Sequence, residues 1–431
     1  MCRFLLFLEF KIAFLAMETD NRDILMLLWS RGKFLGGSGF NTRVGNIRIL
    51  AQGEYDSSGD CFSGAEIESE GKVQRGDIVF GVVSPARIPR YTILQVISSP
   101  SQSLVGFDGL RIPQIAVEIP PETFSSVNSL RTGASSYECG FWLADTLRLE
   151  RISIFEKLLL ERLHRKCGDI SRVFEEAGRD WSQAFYVMLM RSMGGNRNRE
   201  PYMKLASRAT YSMVLRERSS VTVVEALLLG TSGLLEGCYF DDYIHSLRDH
   251  YKYLCAKYGI VPMHANEWES GGTYPRSMPI QRIVQLASFL SGSDFVFDRM
   301  AACRSREDVH RLFSAEASHY WATHYIPDGS SRMCPKRIGE EKADLLGINL
   351  VVPMMFAYGN YTGKEELKEA ALELLASIPA ENNIIIRGWT GVGVPVQSAM
   401  DTQALLQLRN EYCAAGNCTS CRVGRKLIKT G

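Results

Sequence analysis

Residues 154–165 read IFEKLLLERLHR, and the apolar positions Ile154, Leu158, Leu159 and Leu163 repeat at helical spacing. The same period returns at Phe185, Leu189 and Met193. Upstream the chain reads differently. From Arg43 to Glu118 it is rich in Gly, Ser and Pro, with β-leaning runs at Asn46–Leu50, Asp77–Val83, Tyr91–Ile97 and Ile115–Ile119, each bounded by turn residues. Downstream come further helical stretches: Val221–Leu229, Asp241–Tyr258, Pro279–Leu290, Arg306–Phe313, Lys342–Phe356, Glu365–Ala376 and Thr402–Tyr412. The change of period near Gly140 decides the fold class. It predicts an α+β chain, with a small mixed α/β domain over 17–140 and a larger, mostly α-helical domain over 141–412. A cysteine-rich turn with a basic tail closes the chain over 413–431. The stretches Ser98–Ser103 and Pro120–Ser136 read as loops or a linker. No repeat period establishes a solenoid.

The composition fits an ordinary globular protein. Of 431 residues, 45% are hydrophobic and 23% charged, which excludes disordered and fibrous classes. Lys and Arg number 49 against 48 Asp and Glu, so no domain-wide basic field exists to hold nucleic acid. Local basic patches stay open. The 11 cysteines are odd in number and scattered, unlike a small secreted disulfide scaffold, and read as reduced thiols in the cytoplasm.

The opening MCRFLLFLEFKIAFLA is interrupted by Glu9 and Lys11 and falls short of the ~20 apolar residues of a spanning helix. Phe14 sits where a signal-peptide cut after Ala16 needs a small residue. A helix start follows at once, with Thr19 or Asp20 as cap and Ile24, Leu27 and Leu28 on one face. Residues 1–16 are therefore expected to be a spurious extension ahead of a start at Met17. No later window is long and apolar enough to span a membrane, so no membrane partner is expected.

Cys413, Cys418 and Cys421 form a C-x4-C-x2-C run directly after a predicted helix. Two thiolates on a tight turn can face one ion, and a third from a helix end can join them. Zinc or a [4Fe–4S] cluster would need a fourth ligand, for which His319, His324 and Cys334 are the candidates. Arg422, Arg425, Lys426 and Lys429 follow, with no acid after Cys413, and could grip a phosphate backbone. A solvated basic tail explains them equally well.

In the N-terminal part, GEYDSSGDCFSGAE (53–66) and RGDIVFGVV (75–83) outline a metal-dependent nuclease site. Glu54, Asp60, Glu66 and Asp77 are its candidate carboxylates. The strand after Gly76 carries Ile78, Val79, Phe80 and Gly81, which can neither bind a hard cation nor move a proton. A structural sheet with turn acids is the better reading. No Walker loop, G-x-S-x-G elbow or dinucleotide fingerprint occurs. The two histidines of HYWATHY (319–325) are five apart, not the four that would put both on one helix face, and a packed helix end is expected there.

Several stretches together carry a family resemblance. They are LLLERLHR (158–165), DWSQAFYVMLMR (180–191), EALLLGTSGLLE (225–236), HYWATHY (319–325), NLVVPMMFAYG (349–359) and DTQALLQLRNEYCAAGNCTSCRVG (401–424). By these the chain resembles domain-of-unknown-function family 2851, an uncharacterised bacterial family, from about Ile24 to the C-terminus. The last stretch is the most specific. The resemblance implies an N-terminal region with a GE-H-N-T-type segment, a G-P-D-F turn and a G-N-V-E-I-H strand, suggestive of a nuclease-like metal site. This chain keeps Gly53, Glu54, Asp60 and Phe62, but has Tyr55 for the histidine, and Val79 and Gly81 for the strand glutamate and histidine. The following segment is shortened to Ser84–Arg90. The expectation is a non-catalytic binding or scaffold protein with a degenerate nuclease-like domain and a C-terminal metal-binding turn, with nucleic acid as its candidate partner. A metal-dependent nuclease-like hydrolase and a purely structural protein are the alternatives.

Overall fold

Two apolar faces on one short helix organise the first part of the chain. Residues 21–30 form helix α1, and its ILMLLW segment is buried on every side. Leu25, Met26 and Trp29 pack on a β-sheet, while Ile24, Leu27 and Leu28 pack on Val127 and Ile428. A helix apolar all round has to be enclosed in this way. The computed structural model describes residues 21–429 except 33, 36–38, 56–60, 85, 87, 100–103, 134–136 and 271–274. The expected extension 1–16, Met17 and Asp60 lie outside the described residues.

The sheet has seven strands: β1 (Phe40–Thr42), β2 (Gly45–Ala51), β3 (Glu54–Tyr55), β4 (Cys61–Ser69), β5 (Lys72–Phe80), β6 (Thr92–Ile97) and β7 (Gln114–Ala116). Its order is β1-β2-β4-β5-β6-β7, with β3 paired to β4. The first pairings are antiparallel, and β5–β6 and β6–β7 are parallel. The β4–β5 hairpin turns at Glu70 (φ 51°) and Gly71 (φ 75°). Positive φ at both loop residues matches the right-handed strand twist. One sheet face, with Ile47, Ile67, Ile78, Phe80, Leu94 and Val96, meets α1.

Two helices follow, α2 (Pro121–Gly133) and α3 (Glu138–Asp145). The first corrects the expected linker at Pro120–Ser136. Its sequence lacks an apolar period, and tertiary contact supplies what periodicity does not: Val127 is fully buried against α1. Proline at its first position costs nothing, since that N–H has no helical partner.

The chain divides into two bodies. The first comprises Met1–Ile154, Arg387–Pro395 and Leu406–Gly431, and the second Phe155–Ile386 and Val396–Leu405. The stretches 387–395 and 406–431 thus pack with the beginning of the chain in the first body. The second body is helical, as expected. Its boundaries carry local signals: Asp180 accepts the Ser182 and Gln183 N–H groups at the start of Trp181–Gly194, and Ser305 and Asp308 form a capping box. The expected helix Lys342–Phe356 is resolved into Glu340–Leu346, a π-helical Gly347–Val351 and Val352–Thr362.

Candidate metal centre

The cysteine run emerges from a second π-helical segment, Leu408–Cys413. One extra residue per turn re-aims the side chains that follow it. A turn then reverses the backbone. Gly416 has φ +66°, the Asn417 N–H donates to the Tyr412 carbonyl (2.9 Å), and the Cys421 N–H donates to the Asn417 carbonyl (3.0 Å). Cys421 begins the helix Arg422–Leu427. That helix lies close under the turn, and Gly424 faces the Cys418 carbonyl directly.

Cys413, Cys418 and Cys421 line a small cavity of about 20 Å³. Its fourth cysteine is Cys139, near the start of α3, and Leu130, Trp389, Leu408 and Val423 complete an apolar wall. All of these belong to the first body. No disulfide joins the four cysteines. Residue 139 is placed by close packing around α3. A Cβ on Gly140 would stand 2.4 Å from Val392, and one on Gly388 would stand 2.3 Å from the Tyr137 ring. Tyr137 sits edge-on to Trp389 at 4.9 Å, and the Arg409 guanidinium lies 4.7 Å over the Tyr137 ring.

Burial pushes the Cys139 thiol up to about 12, and the sulfurs of Cys413, Cys421 and Cys418 reinforce the shift. Cys413 is pushed up to about 12 by burial and by Cys421, against the opposing Arg409 charge and its hydrogen bond to the sulfur. Burial also raises Cys418, with Arg131 opposing. The raised values keep these sulfurs protonated and neutral, so a metal would have to displace their protons to bind, and as soft thiolate donors they would then suit zinc or iron–sulfur chemistry. Among the described residues, no group of three or more His, Cys, Asp or Glu side chains is arranged to hold a metal ion.

Residues 22–384 match a family model described as protein of unknown function, DUF2851. The chain belongs to that family. Neither curated proteins nor solved structures give a match. The DUF2851 match includes Cys139 and stops short of the cysteine run.

The fourth-ligand candidates named from sequence belong to the second body of the DUF2851 chain. His324 stacks on Tyr320 at 4.1 Å, with Nδ1 2.9 Å from the Tyr320 carbonyl oxygen. His319 opens the 3₁₀ turn His319–Ala322. The Cys334 N–H donates to the Ala322 carbonyl. The HYWATHY stretch serves as an internal brace: Trp321 Nε1–H and the Tyr243 hydroxyl both donate to the buried Glu225 carboxyl, at 2.9 and 2.7 Å. Cys139 escaped sequence reading because it is remote from the run and has no motif around it.

The described acids of the nuclease-like alternative lie on three different strands. Glu54 is exposed on β3 opposite Ser63, Glu66 lies opposite Arg75, and Asp77 pairs with Thr92. Val79, where the resemblance places an acid, is buried opposite Cys61. Three cations of the basic tail have internal partners. Arg425 donates to Ser30 Oγ (2.7 Å), Lys426 pairs with Glu150 (3.0 Å), and Arg422 reaches the Ser153 carbonyl (3.4 Å). Lys429 is exposed. Among the described residues, no helix is long and apolar enough to cross a membrane.

Proposed function

We propose that this DUF2851 protein is a non-catalytic binding or scaffold protein, with a metal centre at Cys139, Cys413, Cys418 and Cys421 fastening its C-terminus to its N-terminal body. The observation that carries the reading is that these cysteines, drawn from distant parts of the chain, line one apolar cavity. A structural centre of this kind contributes folding free energy directly, because the unfolded chain has no preformed site. The absence of catalysis is supported by the apolar strand Ile78–Phe80, whose Ile78, Val79 and Phe80 are all buried where a nuclease needs ligands. The basic tail is read as part of the fold, since Arg422, Arg425 and Lys426 bond to Ser153, Ser30 and Glu150.

The test is metal content per chain in the wild type and in Cys139→Ser, Cys418→Ser and Cys334→Ser. Loss of bound metal in the first two variants, with retention in the third, is the expected result. Metal unaffected by Cys139→Ser would overturn the four-cysteine centre. Mg²⁺- or Mn²⁺-dependent DNA cleavage that disappears on Asp60→Ala would overturn the non-catalytic assignment. Salt-sensitive nucleic-acid binding weakened by neutralising Arg422, Arg425 and Lys429 would assign the tail a partner of its own.

A further inference from the structure

We infer that the centre at Cys139, Cys413, Cys418 and Cys421 is an iron–sulfur cluster and not a single zinc ion. This rests on the four-cysteine reading above and goes on to name what those cysteines hold. A single zinc ion takes four protein donors at about 2.3 Å, whereas an iron–sulfur cluster is held by cysteine thiolates on its irons with inorganic sulfide between them. The four cysteines here line one small cavity together with apolar side chains.

Two further features fit a cluster. The wall of Leu130, Trp389, Leu408 and Val423 is apolar and keeps water from the inorganic sulfides. Arg409 donates a hydrogen bond to the Cys413 sulfur. Hydrogen bonds to cluster sulfurs adjust the reduction potential, a role without meaning at redox-inert zinc. The sequence pattern agrees as well: C-x4-C-x2-C with a remote fourth cysteine is an iron–sulfur ligand spacing. Each cysteine gives up its proton to bind as a thiolate, so insertion of the cluster releases the thiol protons to solvent.

The experiment uses the full chain, purified without oxygen from iron-supplemented cells, with iron, zinc and acid-labile sulfide counted per chain. The expected result is iron and sulfide in equal amounts, about two or about four of each, with visible absorption bleached by dithionite. Cys139→Ser and Cys421→Ser lose that absorption, and Cys334→Ser keeps it. One zinc per chain without sulfide, still lost on Cys139→Ser, overturns the cluster while leaving the four-cysteine centre standing. A full iron and sulfide complement in Cys139→Ser overturns the four-cysteine ligation itself. Should the cysteine variants not fold, Arg409→Met, which has no N–H donor, supplies a second readout. Loss of its hydrogen bond lowers the reduction potential of the cluster, and an unchanged potential overturns the placement of a cluster at Cys413.

Discussion

Gly424 backs on to the carbonyl of Cys418 so closely that a Cβ built there would stand 2.2 Å from the oxygen. The helix Arg422–Leu427 and the turn that presents Cys418 and Cys421 are thereby locked together without a side chain between them. From the other side, Arg31 donates to the Arg425 carbonyl (2.6 Å) and reaches the Ile428 carbonyl (3.4 Å), satisfying the last acceptors of that helix. The chain's end is thus fixed to α1 and to the cysteine turn at once.

The first prediction follows from that contact. Gly424→Ala must displace the turn, since the clashing atom is backbone and cannot rotate away. Overpacking of this kind costs about 1–3 kcal/mol. The expected outcome is a lower melting temperature together with faster loss of metal to a chelator. Wild-type values for both would refute the close approach.

Trp29 supports a second prediction. It is fully buried, faces Phe34 at 5.5 Å and Phe80 at 5.7 Å, and donates its indole N–H to the Gln52 carbonyl at 2.9 Å. Trp29→Ala empties the contact between α1 and the sheet and is expected to cost about 3–5 kcal/mol. Trp29→Phe keeps one ring of the packing but loses the hydrogen bond and part of the buried volume, at about 1–3 kcal/mol. Denaturant titration of both variants checks the order. Equal losses would show that the ring kept in Trp29→Phe contributes nothing to holding the helix.

How far the sequence could be read follows physical lines. Helices with strong period or caps, such as Pro279–Ser291 and Arg306–Leu312, were legible within a residue or two because their signals are local. The helix Pro121–Gly133 was not, because its buried residues, Thr123, Val127 and Gly133, include a single large apolar side chain and show no period. Strand β4 was hidden by its glycine, serine and glutamates, which leave the apolar alternation weak. At the candidate centre, the three clustered cysteines announce themselves by spacing, whereas Cys139 is brought to them by tertiary packing around Gly140 and Tyr137. A fourth ligand chosen from chain proximity to other ligand-type residues, as with Cys334, has no means of registering that packing.

A third prediction concerns acid stability in the second body. Asp344 receives Arg306 through two bonds (2.8 and 2.9 Å), and His310 Nε2 lies 2.8 Å from Oδ1. Burial pushes the Asp344 carboxyl up, but the bonds from Arg306 and His310 outweigh it and hold the group below the usual carboxylate range. A depressed carboxylate stabilises the fold above its unfolded pKa, and this stabilisation is lost as pH falls through the folded one. Asp344→Asn is therefore expected to lower stability by about 1–3 kcal/mol at neutral pH. The gap from wild type should close in acid. Melting curves across the acid range test this, and a constant gap would refute the linkage.

The last prediction turns on Lys166, whose pKa is lowered too, but by burial of its charge instead of by favourable bonds. Its ammonium group donates to Asn349 Oδ1 (2.9 Å) and Gln403 Oε1 (3.3 Å), both neutral oxygens, so no carboxylate bonds it directly. Gln403 also accepts from Arg162 at 2.7 Å, which places a second cation beside the amine. Burial, with Arg162 adding to it, pushes the lysine down to about 7 from 10.5. Between those two values the unfolded chain binds more protons than the folded one, so the contribution of Lys166 to stability rises with pH across that window. Lys166→Met removes this dependence while keeping an unbranched stem of similar length. The difference in melting temperature, variant minus wild type, is expected to be most favourable to the variant near neutral pH. It should then fall by several degrees as pH approaches 10. Two melting series in matched buffers measure it directly. A difference that stays flat with pH would mean that the lysine keeps its charge in the folded protein, held by Asn349, Gln403 and the more distant Glu381 carboxylate.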